Sequence, residues 1–355
     1  MDDRSRALVA SAGIVLVFVV IQLGALAVAA PLDAGGNQFV EDTSDPTISV
    51  LYVVAILVVT GLMLAAIKLD AEALIRAFVV FAGAYISLFV FRAVLPPVVT
   101  VPVAGTTLDV LAWAGAVAIG VALWVYPEWY VIDAAGVVMG IGAAGLFGIN
   151  FGILPALVLL SVLAVYDAIS VYGTEHMLTL ASGVMEMRVP IVLVVPLVLP
   201  YSFLEADTPD PTAEEESADP DAAATANGGT DRSGETEGTG DDHDGEDGDA
   251  FELEREALFI GLGDVVIPTV LVASAGFFLR DVPAIAAGGL TIPVPAGTAM
   301  VGTLIGLVVL LWMVLQGRAH AGLPLLNGGA IGGYLLGALA SGLTLVEALG
   351  IAGFL

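Results

Sequence analysis

The chain has 355 residues, 58% of them hydrophobic and 13% charged, with a mean hydropathy of +0.97, an apolar share that excludes an ordinary soluble globular domain. Its net charge of -27 is concentrated, since 20 of the 37 acidic residues lie between Glu205 and Glu256, where only Arg232 and Arg255 oppose them. Acid-rich wet segments of this kind disfavour a nucleic-acid partner and suggest an extreme halophile as the source, and the lack of cysteine excludes disulfides and thiol redox chemistry.

A membrane-spanning helix takes about 20 mostly apolar residues. Stretches of that kind are expected at 7–30, 48–67, 73–94, 107–126, 130–148, 152–173, 257–279, 297–316 and 324–343, which makes nine. The first is too long for the apolar region of a cleaved signal and is read as a helix. The fold class expected is all-α, a polytopic membrane protein. Nine crossings put the termini on opposite sides. With the N-terminus cytoplasmic, Arg4, Arg6, Lys68, Arg76, Arg188, Arg232, Arg255 and Arg318 fall inside, and Arg92 and Arg280 outside. Leaving out the two arginines of the acidic loop, where the rule is weak, six still stand against two. A multi-pass protein of the cell membrane with its C-terminus outside is therefore expected.

Between the sixth and seventh stretches the pattern changes. Met177 to Arg188 places Met177, Leu178, Ala181, Val184 and Met185 at helical spacing, as in a short surface helix. Pro190 to Phe203 is apolar but only 14 residues long and carries Pro190, Pro196 and Pro200, so it is expected to lie at the interface or to pair as a strand. Asp207 to Asp249 has no aromatic residue and is rich in Asp, Glu, Gly, Thr and Ala, the composition of a disordered cytoplasmic tether. The expected organisation is helices 1–6 over 1–173, an interfacial segment over 174–206, the acidic loop over 207–256 and helices 7–9 over 257–355.

Ionisable groups inside spanning segments cost about 2.5–3.5 kcal/mol each on insertion scales and are candidates for function. Glu72, Asp109, Asp133 and Arg92 fall near expected helix ends, where an interfacial or snorkelling role suffices. Asp167 and Asp264 fall deeper. Measured from Gly173 at the end of helix 6, Asp167 is ~9 Å deep, and measured from Glu256, Asp264 is ~12 Å deep on a helix running the other way. The two carboxylates can therefore meet at one depth. A pair that close holds one shared proton. Its ionised member can take a proton from water while the protonated member polarises a scissile carbonyl, with no cofactor. His176, His243 and His320 do not cluster with carboxylates at metal-ligand spacing. Gly261 shares a face with Asp264 and leaves it bare, and Pro268 cannot donate to the Asp264 carbonyl. Packing alone also explains both residues.

Three motifs resemble the presenilin and signal peptide peptidase group of intramembrane aspartyl proteases: Tyr166-Asp167 on the sixth helix, Gly261-Leu262-Gly263-Asp264 on the seventh, and Pro324-Leu325-Leu326 where the family's PAL motif opens the ninth. The likeness continues through Tyr166 to Met177 and through Gly261 to Pro268, as in signal peptide peptidases. Pro190 to Ser202 looks more like presenilin. The acidic composition suggests a microbial, haloarchaeal homologue. The resemblance implies a nine-helix presenilin-like fold and an aspartic endopeptidase in which Asp167 and Asp264 are catalytic. It implies that Tyr166, Gly261, Leu262, Gly263, Pro324, Leu325 and Leu326 shape the site, with no cofactor. The implied substrates are transmembrane helices or remnant signal peptides. Leu325 replaces the family's alanine, a bulkier side chain that could narrow the site, while Pro324 and Leu326 are kept. In the family this segment helps hold an extended substrate through main-chain pairing. Gly328, Gly329, Gly332 and Gly333 are expected to permit close helix packing. Presenilins act with partner subunits and signal peptide peptidases do not need them. Two readings from other classes compete: a proton-coupled transporter using the same carboxylates as a relay, and an inactive relative acting as a scaffold.

Overall fold

In lipid every backbone polar group must find an internal partner, so apolar runs of this length close their hydrogen bonds within helices. The computed structural model describes residues 3–40, 42–69, 71–103, 106–173, 192–196, 257–287, 289–316 and 321–352. The helices are α1 (Asp3–Ala34), α2 (Thr47–Lys68), α3 (Glu72–Val94), α4 (Val110–Val125), α5 (Trp129–Asn150) and α6 (Ile153–Gly173), followed by α7 (Leu262–Phe278), α8 (Val294–Leu315), α9 (Gly322–Ala340) and a terminal turn α10 (Leu345–Ala348). Seven of these are long and apolar enough to cross a membrane; α4 and α7 are apolar but shorter, at 16 and 17 residues. The surface helix expected at 177–188, the acidic loop and the three histidines lie outside the described residues.

Both short helices are shorter than expected for one reason. Thr106–Asp109 is the strand β2, paired with β1 (Thr100–Val103), and α4 starts only after it. Ala257–Gly261 is likewise a strand, β4, and α7 starts at Leu262 rather than 257. A short continuous apolar run does not by itself distinguish strand from helix. The partner of β4 is β3 (Val192–Pro196), antiparallel, with Val192 opposite Gly261 and Pro196 opposite Ala257. The apolar segment before the acidic loop thus pairs as a strand over these residues. A third ribbon joins β5 (Ala284–Ala287) to β6 (Leu290–Pro293), with Gly289 at φ 83° in its turn.

The interior is built around α1, α5 and α7, with Phe18, Ile21, Ala144, Val265 and Leu271 buried. Small residues bring backbones together. Gly148 of α5 faces Ala273 of α7, and Gly302 of α8 lies directly against the Gly329 carbonyl of α9. Gly329 and Gly333 make the close α8–α9 packing expected of the glycine run. Gly328 and Gly332 do not: a Cβ on either would meet nothing within 4 Å. Neighbouring residues on a helix point about 100° apart, so only one member of each Gly-Gly pair can face the partner.

Several polar side chains in the bundle close onto main-chain carbonyls. Ser49 Oγ donates to Pro155 O at 2.6 Å, joining α2 to α6, and Ser274 Oγ donates to Phe151 O at 2.7 Å. Asp109, read from sequence as interfacial, is the N-cap of α4, accepting from Leu111 N–H at 3.2 Å. Arg92 is exposed in the last turn of α3, in keeping with that reading. Asp133, read as snorkelling or interfacial, lies one turn into α5 and accepts the Val194 N–H of β3 at 2.8 Å, a partner that the sequence did not indicate.

At the C-terminal end the fully buried Tyr334 donates its hydroxyl to Ala348 O at 2.7 Å, tying α9 to α10. Tyr334→Phe leaves that carbonyl without its donor, and thermal unfolding in detergent should show a loss of roughly 1–2 kcal/mol with little change in activity.

Candidate active site

The tertiary structure brings together three chain segments far apart in sequence. Asp167 lies in the penultimate turn of α6 and is 8% exposed, whereas its neighbour Tyr166 is 40% exposed and turns outward. Asp264 occupies the third position of α7, with Gly261 as the extended N-cap at φ -60° and ψ 131°. An acidic residue in a first turn is favoured by the helix dipole. The carboxyl folds back over the cap: a Cβ on Gly261 would stand 3.2 Å from Asp264 Oδ2. Any side chain there would press on the carboxylate, which gives Gly261 a reason beyond helix packing.

Asp264 therefore lies in the first turn of a helix that follows a strand, not a third of the way along a helix. The ~12 Å depth read from sequence used the helical rise of 1.5 Å per residue over the whole interval. Ala257–Gly261 advances instead at the ~3.3 Å per residue of extended chain. The change of path does not separate the two carboxylates, since both border the start of α9.

The third segment is the first turn of α9. Its N-cap, Ala321, has no side chain able to cap, and Asp167 from α6 does so instead: Leu323 N–H donates to Asp167 Oδ2 at 3.1 Å. One residue earlier, a Cβ on Gly322 would stand 3.8 Å from Asp264 Oδ2. A single turn of backbone thus borders both carboxylates. Pro324 follows in that first turn, where its missing N–H removes a donor that would otherwise need a partner. The helix opens at Gly322, two residues before the expected 324.

Leu325 packs its main chain against α8, where Gly306 is bare enough to admit the Leu325 carbonyl. Leu326 is fully buried. One turn on, buried Asn327 donates Nδ2 to Leu160 O of α6 at 2.9 Å, so α9 is tied to α6 at two levels. Beside Asp264 opens a cleft of about 200 Å³, walled by Ile14, Phe18, Phe259, Ile260, Gly322 and Leu326. Leu325 is not among its lining residues, so the bulk that replaces alanine does not narrow this cleft. Leu262 points into the bundle toward Gly140 of α5, and Gly263 is exposed. Pro268 is buried within α7, one turn beyond Asp264.

Sequence reasoning missed Gly322, the Leu323 N–H, Asn327 and Gly306. Gly322 and Asn327 flank Pro324-Leu325-Leu326 and could have been found as extensions of that motif. A main-chain donor and a glycine on a different helix carry no sequence signal.

Two carboxylates, one from α6 and one from α7, bordered by the first turn of α9 in a multi-pass apolar bundle, are the arrangement expected of a membrane-embedded aspartyl enzyme. The family profile "Signal-peptide peptidase, presenilin aspartyl protease" matches residues 15–343. Two solved structures, each described as a presenilin family intramembrane aspartate protease, are similar to the chain. One has 30% identity and a TM-score of 0.59, covering 93% of this chain and 99% of that one; the other has 31% and 0.57, covering 92% and 97%. No curated protein is significantly similar. The chain belongs to the signal-peptide peptidase and presenilin aspartyl protease family. It is an intramembrane aspartate protease and a multi-pass membrane protein.

Proposed function

We propose that Asp167 and Asp264 form the catalytic dyad and that the protein hydrolyses peptide bonds within transmembrane segments of other proteins, or within remnant signal peptides. The observation that carries this is the first turn of α9, whose Leu323 N–H holds Asp167 while Gly322 lies against Asp264. With one proton shared, the ionised carboxylate takes a proton from water as it attacks the scissile carbonyl, and the protonated one donates to the developing oxyanion. Collapse of the tetrahedral intermediate then passes a proton to the leaving amide nitrogen, which breaks the C–N bond. The scissile segment must first unwind, because a helical carbonyl is already hydrogen-bonded and shielded.

The cleft beside Asp264 has the character such a substrate needs, with apolar walls for side chains and a polar end at Asp264. In this reading Gly261, Gly263, Pro324 and Leu326 shape the path to the dyad, Leu325 does so through its main chain, and Tyr166 and Leu262 support the segments that carry the two aspartates. The proton-relay and scaffold readings are not favoured by any feature among the described residues. The distribution of Lys and Arg supports a cytoplasmic N-terminus and loop, which would put the dyad near the cytoplasmic face. A tag in 207–249 that is cleaved only from the outside would reverse that assignment.

The test is a photo-reactive transition-state analogue of aspartic proteases, which binds at least roughly 10²-fold more tightly than substrate only where the dyad is competent. The wild type should be labelled and an excess of unmodified analogue should compete. Equal labelling of Asp264→Ala would overturn the assignment.

A further inference from the structure

Asp133 is a carboxylate that the proposed chemistry does not use. It lies one turn into α5, and its Oδ1 accepts the main-chain N–H of Val194 at 2.8 Å. Val194 is 1% exposed and Leu193 beside it 3%, so this is a buried strand resting on a helix. Gly136, three residues after Asp133, provides the seat: a Cβ there would stand 2.9 Å from Leu193 Cδ2.

The hydrogen bond has a directional consequence. Main-chain groups along an antiparallel strand face alternately toward and away from the partner strand. Val194 is opposite Phe259 of β4, and its N–H goes to Asp133, so this edge of β3 is closed by α5. Without an acceptor that N–H would be buried and unpaired. The same ribbon delivers the catalytic segment, since β4 ends at Gly261, the N-cap of α7, three residues before Asp264. The small cavity beside Asp133 and the cleft beside Asp264 share Ile14, Phe18 and Ile260 as walls. Movement of the ribbon on α5 would thus move both the cleft and the turn that holds Asp264.

We propose that Asp133 is a positioning residue for proteolysis: by holding the Val194 N–H it fixes the β3–β4 ribbon on α5, and so sets Asp264 and the adjoining cleft wall for a membrane-embedded peptide substrate. The proposal rests on the reading of Asp264 as catalytic. It requires an acceptor oxygen at position 133 rather than a charge.

The experiment uses the full chain in proteoliposomes and compares Asp133→Asn, Asp133→Leu and Asp264→Ala on one transmembrane peptide. Active sites are titrated with the transition-state analogue, so that a smaller folded fraction is separated from slower turnover per site. Asp133→Asn keeps an acceptor oxygen and should stay within about threefold of wild type. Asp133→Leu should lower kcat per titrated site roughly tenfold or more, with a smaller change in KM. Wild-type turnover per site in Asp133→Leu would overturn the proposal, as would an Asp133→Asn as slow as Asp133→Leu. Cleavage by Asp264→Ala would instead show that the dyad reading had failed, whatever the Asp133 variants do.

Discussion

Asp264→Ala is expected to abolish cleavage of a transmembrane peptide in proteoliposomes, with kcat reduced by roughly 10²–10⁴-fold or more, the range for losing a positioned acid or base. Asp167→Ala should do the same, and the double variant should be no worse than either single one, because in the proposed dyad the two carboxylates share one proton and act as a unit. The two positions differ in what else they hold. Asp167 caps α9 through the Leu323 N–H, so its alanine variant also leaves that donor unpaired. Asp167→Asn keeps an acceptor there and removes the acid-base function, so it should retain the wild-type unfolding temperature while remaining inactive. Persistent cleavage by Asp264→Ala or by Asp167→Asn would exclude the dyad.

The second large effect is expected at a residue that has no side chain. Gly306→Ala adds a methyl group where α8 touches the Leu325 carbonyl of α9, with the Leu326 Cα only 3.3 Å from the new atom. Backbone cannot rotate out of the way as a side chain can. The helices must part, at a cost of about 1–3 kcal/mol for overpacking. The first turn of α9 moves with them, and that turn borders both carboxylates. A displacement of about 1 Å in a catalytic constellation is worth on the order of 10²-fold in rate. Gly328→Ala and Gly332→Ala provide the contrast, since a methyl group at either meets open space. Both should keep wild-type activity and gain slightly in stability from the better helix propensity of alanine. Parallel measurement of cleavage and thermal unfolding decides the matter: a Gly306→Ala protein as active and stable as Gly328→Ala would show that this contact does not govern the site.

Asp133 shows why some of the site was not legible. In sequence it is one of several carboxylates near helix ends, and an interfacial role accounts for it. Its partner is a main-chain N–H on β3, 61 residues away. Main-chain donors are present at every residue except proline, so nothing in the sequence marks Val194 as a donor that the ribbon leaves without a partner. The start of α7 was hidden for a related reason. Ala257 to Gly261 is apolar and continuous with the helix that follows, and only its pairing with Val192–Pro196 makes it a strand.

What the sequence determined by itself was set by solvent and by local chemistry. Long apolar runs in a chain this poor in charge leave a bilayer as the medium, and helices follow because lipid offers the backbone no partners. The cost of burying a charge there singled out Asp167 and Asp264, and the motifs around them and around Pro324 carried the family resemblance. The tertiary structure alone decided how the three segments meet: the strand that carries Asp264 inward, the Leu323 N–H that caps onto Asp167, and the choice of Gly329 and Gly333 over Gly328 and Gly332 as the packed face of α9. Each of these depends on main-chain groups or bare glycine surfaces meeting across long separations. Their identity as residues does not encode the partner they find, so only packing could select it.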